Sequence, residues 1–146
     1  MLANLTIVQY IDRRSPTCGD VLPAGSWGGY AMFVEQRVYT LKPGATPAFL
    51  DYYEQNGRAV QIGHLGNPVG YYSTEIGPLN QMVMSWYYAS LDERTRKRQQ
   101  LASDPEWMAY LKHAREWVTT QHTTILKPAP FFTEHLQAYI HRGRKS

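Results

Sequence analysis

The sequence predicts an α+β domain of order β-α-β-β-α-β, with one four-stranded antiparallel sheet and its helices on one face. Three observations predict it. First, residues 69–75 and Gln81–Tyr88 are rich in aromatic and β-branched side chains, the types that fit a pleated surface. Second, only Ile76-Gly77-Pro78-Leu79-Asn80 separates them, a turn-former cluster that allows a hairpin and little else. Third, the stretches on either side of this hairpin carry helical spacing, and each is bounded by another strand pattern.

The first strand is Phe33–Leu41. Val34, Val38 and Thr40 fall on one face; Glu35, Arg37 and Tyr39 fall on the other, because side chains alternate with period two. Lys42-Pro43-Gly44 ends it. Thr46-Pro47 then reads as a helix start, a Thr cap with Pro at the first helical position. Phe49, Tyr53 and Val60 recur at helical spacing, with Gly57 weakening the middle, and Gly63 to Pro68 closes the helix. After the hairpin, Ser90-Leu91-Asp92-Glu93 matches a capping box. A short polar helix follows. Ser103-Asp104-Pro105-Glu106 starts a second, longer helix to about residue 119, with Trp107, Leu111, Ala114 and Val118 on one face. Residues 123–126 form the last strand, stopped by Lys127-Pro128-Ala129-Pro130.

Two segments stand outside this order. Residues 1–31 are either an N-terminal arm, adding an edge strand or crossing to a partner, or an extension upstream of a start at Met32. Residues 131–146 end in His141-Arg142-Gly143-Arg144-Lys145 and read as a solvated basic tail.

Composition narrows the function classes. At 146 residues the chain holds one domain. The net charge of +3 is mild, so nucleic acid is not an expected partner. No apolar run approaches the roughly 20 residues of a membrane span, and residues 5–10 lack the flanks of a signal peptide. The single cysteine, Cys18, excludes an intramolecular disulfide and suits a reducing compartment; the expectation is a cytoplasmic protein. The five histidines show no paired ligand spacing, so no metal site is expected. The sequence requires no cofactor. Haem stays open only because one axial histidine suffices.

The opening Glu35-Gln36-Arg37-Val38-Tyr39-Thr40-Leu41-Lys42-Pro43-Gly44, then Gly70 with Tyr72, Thr74 to Gln81, Trp86 with Tyr88, Ser103 to Trp107 and Ile125 to Pro130 together form a specific block. This block resembles the NIPSNAP family over residues 33–130. The resemblance implies a ferredoxin-like domain, residues 32–130, that pairs into a dimeric α/β barrel. It implies no settled reaction. It also implies a histidine, in many members, two residues before Trp86; here that position is Met84. A homodimer is expected independently. A four-stranded sheet with helices on one side leaves Val34, Val38 and Val83 on a bare face, and two such faces packed together remove them from water.

In folds of this kind a small-molecule pocket lies between sheet and helices. The expected ligand-binding residues are Arg37, Tyr39, Tyr53, His64, Tyr72, Glu75, Trp86 and Tyr88. Each has a plainer reading. Arg37 can orient an anionic group or simply neutralise Glu35. Glu75, at the strand end, can act as a base if buried or can fix the following turn. His64 sits at a pocket mouth or in an ordinary loop. Tyr72, Trp86 and Tyr88 are core or interface residues as readily as pocket walls. Arg94-Thr95-Arg96-Lys97-Arg98 can meet phosphates, but the expected role is a solvated helix face. Two functions follow: binding of a small apolar or aromatic molecule in the cleft, or a non-enzymatic homodimeric interaction module. Fold analogy alone adds a cofactor-independent monooxygenase-like reaction.

Overall fold

In a computed structural model of the chain, residues 32–142 are described, 141 and 142 by backbone only. The first strand, β1 (Phe33–Leu41), is the centre of the sheet. It pairs antiparallel with β3 (Gln81–Tyr88) on one side and β4 (Val118–Leu126) on the other; β2 (Gly70–Ser73) adds outside β3. The resulting order is β2-β3-β1-β4. The expected bounds of β1 and β3 hold to the residue. Alternation decides the two faces. Met82, Met84, Trp86 and Tyr88 are buried, while Gln81, Val83, Ser85 and Tyr87 between them are half-buried. The register sets Glu35 beside Trp86 and Arg37 beside Met84 on the same face.

Four helices cover that face: α1 (Thr46–Asn56), α2 (Arg58–Leu65), α3 (Leu91–Ala102) and α4 (Pro105–Ala114). Phe49, Tyr53, Leu65, Leu101 and Tyr110 point from them onto the sheet and complete the core. Where one helix is expected, α1 and α2 are separate, divided at Gly57. A Cβ there would lie 2.8 to 3.0 Å from three ring carbons of Tyr110, so the break is also a close helix–helix approach. The expected Thr cap is absent. Ala45 is the cap residue, because its N–H already closes a turn onto the Lys42 carbonyl at 3.0 Å. The two later caps form as expected. Ser90 Oγ accepts from the Glu93 N–H, and the Glu93 carboxylate accepts from the Ala89 N–H at 2.6 Å. Asp104 accepts from the N–H groups of Glu106 and Trp107.

Two boundaries differ from expectation. The helix expected to reach residue 119 ends at Ala114, and β4 begins at Val118 rather than at Thr123. The apolar offset of four from Ala114 to Val118 suits a helix face. A turn at residues 115–117 spans it equally well, and the threonines that follow favour a strand. The basic tail contains α5 (Pro130–Arg142). Phe132, Leu136 and Ile140 recur every four residues, one helix face, and Leu136 is 2% exposed. Phe132 and Leu136 line a hollow with Val34, Tyr72 and Leu126 on the second face of the sheet, which is therefore partly covered rather than bare. The N-terminal arm, residues 1–31, and Cys18 lie outside the described residues.

Candidate functional site

A cavity of about 340 Å3 opens between the sheet and the helices. Arg37, Tyr39 and Met84 form its floor, brought together by the β1–β3 register. Phe49 of α1, Gln61 of α2, Leu101 of α3 and Trp107, Tyr110 and Leu111 of α4 form its walls. Arg94, Arg98 and Arg115 add charge to the lining, which contains no Asp or Glu. The volume lies at the small end of the roughly 300–1,000 Å3 common for ligand sites, and the mixture of apolar wall and few polar groups is typical of them.

Glu35 organises the charge. Its side chain is fully buried. Oε1 accepts from Nε and Nη2 of Arg94 at 3.1 and 2.6 Å; Oε2 accepts from Nε and Nη2 of Arg98 at 2.9 and 2.5 Å and from the Tyr88 hydroxyl at 3.2 Å. Burial alone would raise the Glu35 pKa. The ion pair with Arg98 and the hydrogen bonds from both arginines outweigh it, and the carboxyl is held below its ordinary value. Arg37 approaches Oε1 only to 3.9 Å. Its guanidinium lies over the Tyr39 ring, 5.6 Å from the centroid. Its Nε is buried and has no hydrogen-bond partner among the described residues.

Burial pushes the Tyr53, Tyr71 and Tyr110 hydroxyls well above the usual tyrosine value. Burial also pushes Tyr88 up, to about 12, with Arg98 opposing and Glu35 adding to the rise. Tyr53 donates to Gln61 Oε1 at 2.9 Å and stacks on Tyr71 at 5.0 Å, which fixes the Gln61 amide at the cavity wall. Met84 occupies the floor where the family resemblance implies a histidine in many members, and a thioether moves no proton.

The eight expected site residues separate into three groups. Arg37 and Tyr39 line the cavity. Tyr53, Trp86 and Tyr88 sit directly behind it, Tyr53 through Gln61, Tyr88 through Glu35 and Trp86 as the strand neighbour of Glu35. His64, Tyr72 and Glu75 are elsewhere. His64, in the last turn of α2, pairs with Asp104 Oδ2 at 2.9 Å. That contact, with the cap N–H groups, holds the Asp104 carboxyl below its usual value. Tyr72 is on the opposite face of the sheet, 62% exposed, beside α5. Glu75 is exposed in the hairpin connection, where Asn80 adopts a left-handed φ of 60°.

The charged wall was not expected. Arg94 and Arg98 belong to the helix face read as solvated, yet both turn inward to Glu35. Their i,i+4 spacing behind a capping box, opposite a strand glutamate on the inner face, is the signal that points to it. A larger hollow of about 780 Å3 lies between α2 and α5 and contains none of the eight expected residues. Among the described residues no three His, Cys, Asp or Glu side chains gather as metal ligands, and no helix is long and apolar enough to cross a membrane.

Comparison with known proteins places this geometry in a family. The NIPSNAP family model matches residues 34–133. The chain belongs to the NIPSNAP family. Among curated relatives, human NipSnap homolog 3B is 31% identical over 98 residues, 66% of this chain but 39% of its own length. This chain therefore spans well under half of that relative. A solved NIPSNAP family protein of unknown function from Agrobacterium tumefaciens is 43% identical, with a TM-score of 0.68, over 70% of this chain and 92% of its own. A Nitrosomonas europaea protein, provisionally described as an antibiotic biosynthesis monooxygenase, shares the fold at 12% identity and a TM-score of 0.53, over 70% of this chain and 94% of its own. NIPSNAP and monooxygenase-like chains thus share this ferredoxin-like arrangement, and at that identity the likeness extends to the fold alone.

Proposed function

We propose that this NIPSNAP protein binds a small molecule with an apolar or aromatic body in the cavity between sheet and helices, and that it does so as a homodimer. One observation carries the binding reading. The cavity has aromatic and aliphatic walls of Phe49, Trp107, Tyr110 and Leu111, and its floor presents Arg37, a charged group held in place but only partly satisfied. Core packing alone would fill such a space, since protein interiors hold few voids larger than a water molecule. Met84 stands on the floor where the resemblance implies a histidine in many members, so a reaction that relied on that histidine for proton transfer would not run here.

The homodimer is supported by the edge and second face of the sheet. Residues 119–126 of β4 are all exposed, and β1 is the only strand beside β4 among the described residues. Val38 and Val83 are half-buried cross-strand neighbours on the second face of the sheet, outside the hollow that Phe132 and Leu136 of α5 line. A second copy packing there buries them by two-fold symmetry, at roughly 1.5–3 kcal/mol for each fully buried valine. The single-cysteine composition suits a cytoplasmic setting.

The test is native mass spectrometry of the full chain against a panel of small aromatic and aliphatic compounds. It is run beside a Leu111→Trp variant that fills the cavity and whose fold is checked by circular dichroism. Binding to the wild type and its loss in the filled variant supports the reading. Equal binding to both, or none to the wild type, overturns it.

A further inference from the structure

We infer that the ligand of this cavity carries a carboxylate, received by Arg37 on the cavity floor. This deepens the binding reading above and rests on it. The cavity lining holds Arg37, Arg94, Arg98 and Arg115 and no acidic side chain. The nearest carboxylate, Glu35, lies behind the lining, fully buried. Four guanidinium N–H donors and the Tyr88 hydroxyl already occupy its two oxygens. These five donors exceed the about four lone-pair sites of a carboxylate.

Arg37 is therefore the third guanidinium around one saturated carboxylate. It comes no closer than 3.9 Å to Oε1, and its buried Nε finds no protein acceptor among the described residues. The Arg37 side chain is 17% exposed, its Nε buried without an acceptor; such a partly desolvated cation is incompletely compensated, and an anion meeting its open side recovers that cost. The neighbouring side chains prepare the group to receive one. The Tyr39 ring lies 5.6 Å from the guanidinium carbon on one side, and the paired β1 backbone holds its root.

The geometry favours a carboxylate over a phosphate. Arg94 and Arg98 turn their Nε–Nη2 edges to Glu35 and Arg115 is exposed, so Arg37 is the partly buried guanidinium on the floor whose Nε is left without an acceptor, which matches a planar monoanion. The walls opposite Arg37, Trp107 and Leu111 among them, leave the rest of the ligand an apolar or aromatic environment.

Isothermal titration of the full chain tests this with benzoate, 3-phenylpropionate and hexanoate, each beside its neutral amide, and with phenyl phosphate. At least one acid is expected to bind about tenfold or more tightly than its amide, the scale of a charge-assisted hydrogen bond. Arg37→Met is expected to remove that preference while leaving the amide affinity within about threefold of wild type. Arg37 is not one of the hydrogen-bonded partners of Glu35, so the variant keeps that ion pair; an unchanged thermal midpoint verifies it. Equal binding of acid and amide overturns the carboxylate and leaves the binding reading standing. Tighter binding of phenyl phosphate overturns it in favour of a phosphate ligand. Equal loss of acid and amide in Arg37→Met makes Arg37 structural and overturns its role. Binding of no compound overturns the inference and the binding reading together.

Discussion

Glu35 is the residue on which stability and site geometry meet. Its charge joins β1 to α3 through two guanidinium forks, with the Tyr88 hydroxyl beneath. Removing one partner of such a buried set leaves the others uncompensated, at about 3–5 kcal/mol. Glu35→Gln should therefore lower unfolding stability by that order in urea titration; a change under about 1 kcal/mol would show the pair to be dispensable. The pH dependence follows from the same contacts. Because the native carboxyl is held below its ordinary value, the unfolded chain takes up a proton first as pH falls. Stability should decline from about pH 4.5 downward, and Glu35→Gln should flatten that slope. The tyrosines act oppositely. Tyr88 is raised to about 12 and three others are raised further, so the unfolded chain ionises first above about pH 10 and stability falls from there upward. At this scale the inner face of β1 is legible from alternation alone. The inward turn of Arg94 and Arg98 is not, because α3 lacks an apolar stripe and its charges read equally well as solvated.

Helix boundaries follow side-chain packing as much as local propensity. Gly57 reads in sequence as a weak point in one helix; in the structure it is where two helices part and the Tyr110 ring fills the missing Cβ position. Tyr110 is buried and stacked against Tyr52 at 5.5 Å, so it has little room to retreat. Gly57→Ala should destabilise by about 1–3 kcal/mol, the usual range for overpacking, despite alanine's better helix propensity. Thermal unfolding checks this, and a stabilised variant would mean the ring moves freely. The α4–β4 boundary shows the opposite limit. Ala114 and Val118 satisfy a helix period and a turn–strand junction alike, and only pairing of Val118 with Leu41 distinguishes them. The helix α5 is hidden behind a basic terminus, although Phe132, Leu136 and Ile140 already mark its inner face.

Over the whole molecule, the order of strands and helices along the chain and the hairpin position are legible, because each rests on a period of two or of about 3.6 sustained over many residues. The order of strands across the sheet is not fixed by periodicity, and α5 departs from the expected single helical face. The cavity is only partly so. Arg37 and Tyr39 reach it by strand alternation, whereas Gln61, Trp107 and Leu111 reach it only once α2 and α4 pack over the sheet. Tyr72 shows how alternation also excludes: it is two residues from Gly70 and adjacent to Tyr71, and that single step puts it on the other face. The homodimer belongs to this scale as well. Sedimentation velocity should give twice the chain mass, and Val38→Lys should shift it to the monomer while leaving the cavity side of β1 intact; a wild-type monomer would contradict the pairing of sheet faces.

The most direct measurement is of the Arg37 Nε–H itself, by nitrogen–proton NMR during titration with 3-phenylpropionate. Its resonance should move saturably with the acid and stay nearly still with the matching amide, while Arg58 on the outer surface of α2 serves as the unaffected reference. An Arg37 signal that stays fixed while the acid binds would contradict the assignment of this cavity floor as the anion-binding centre of the protein.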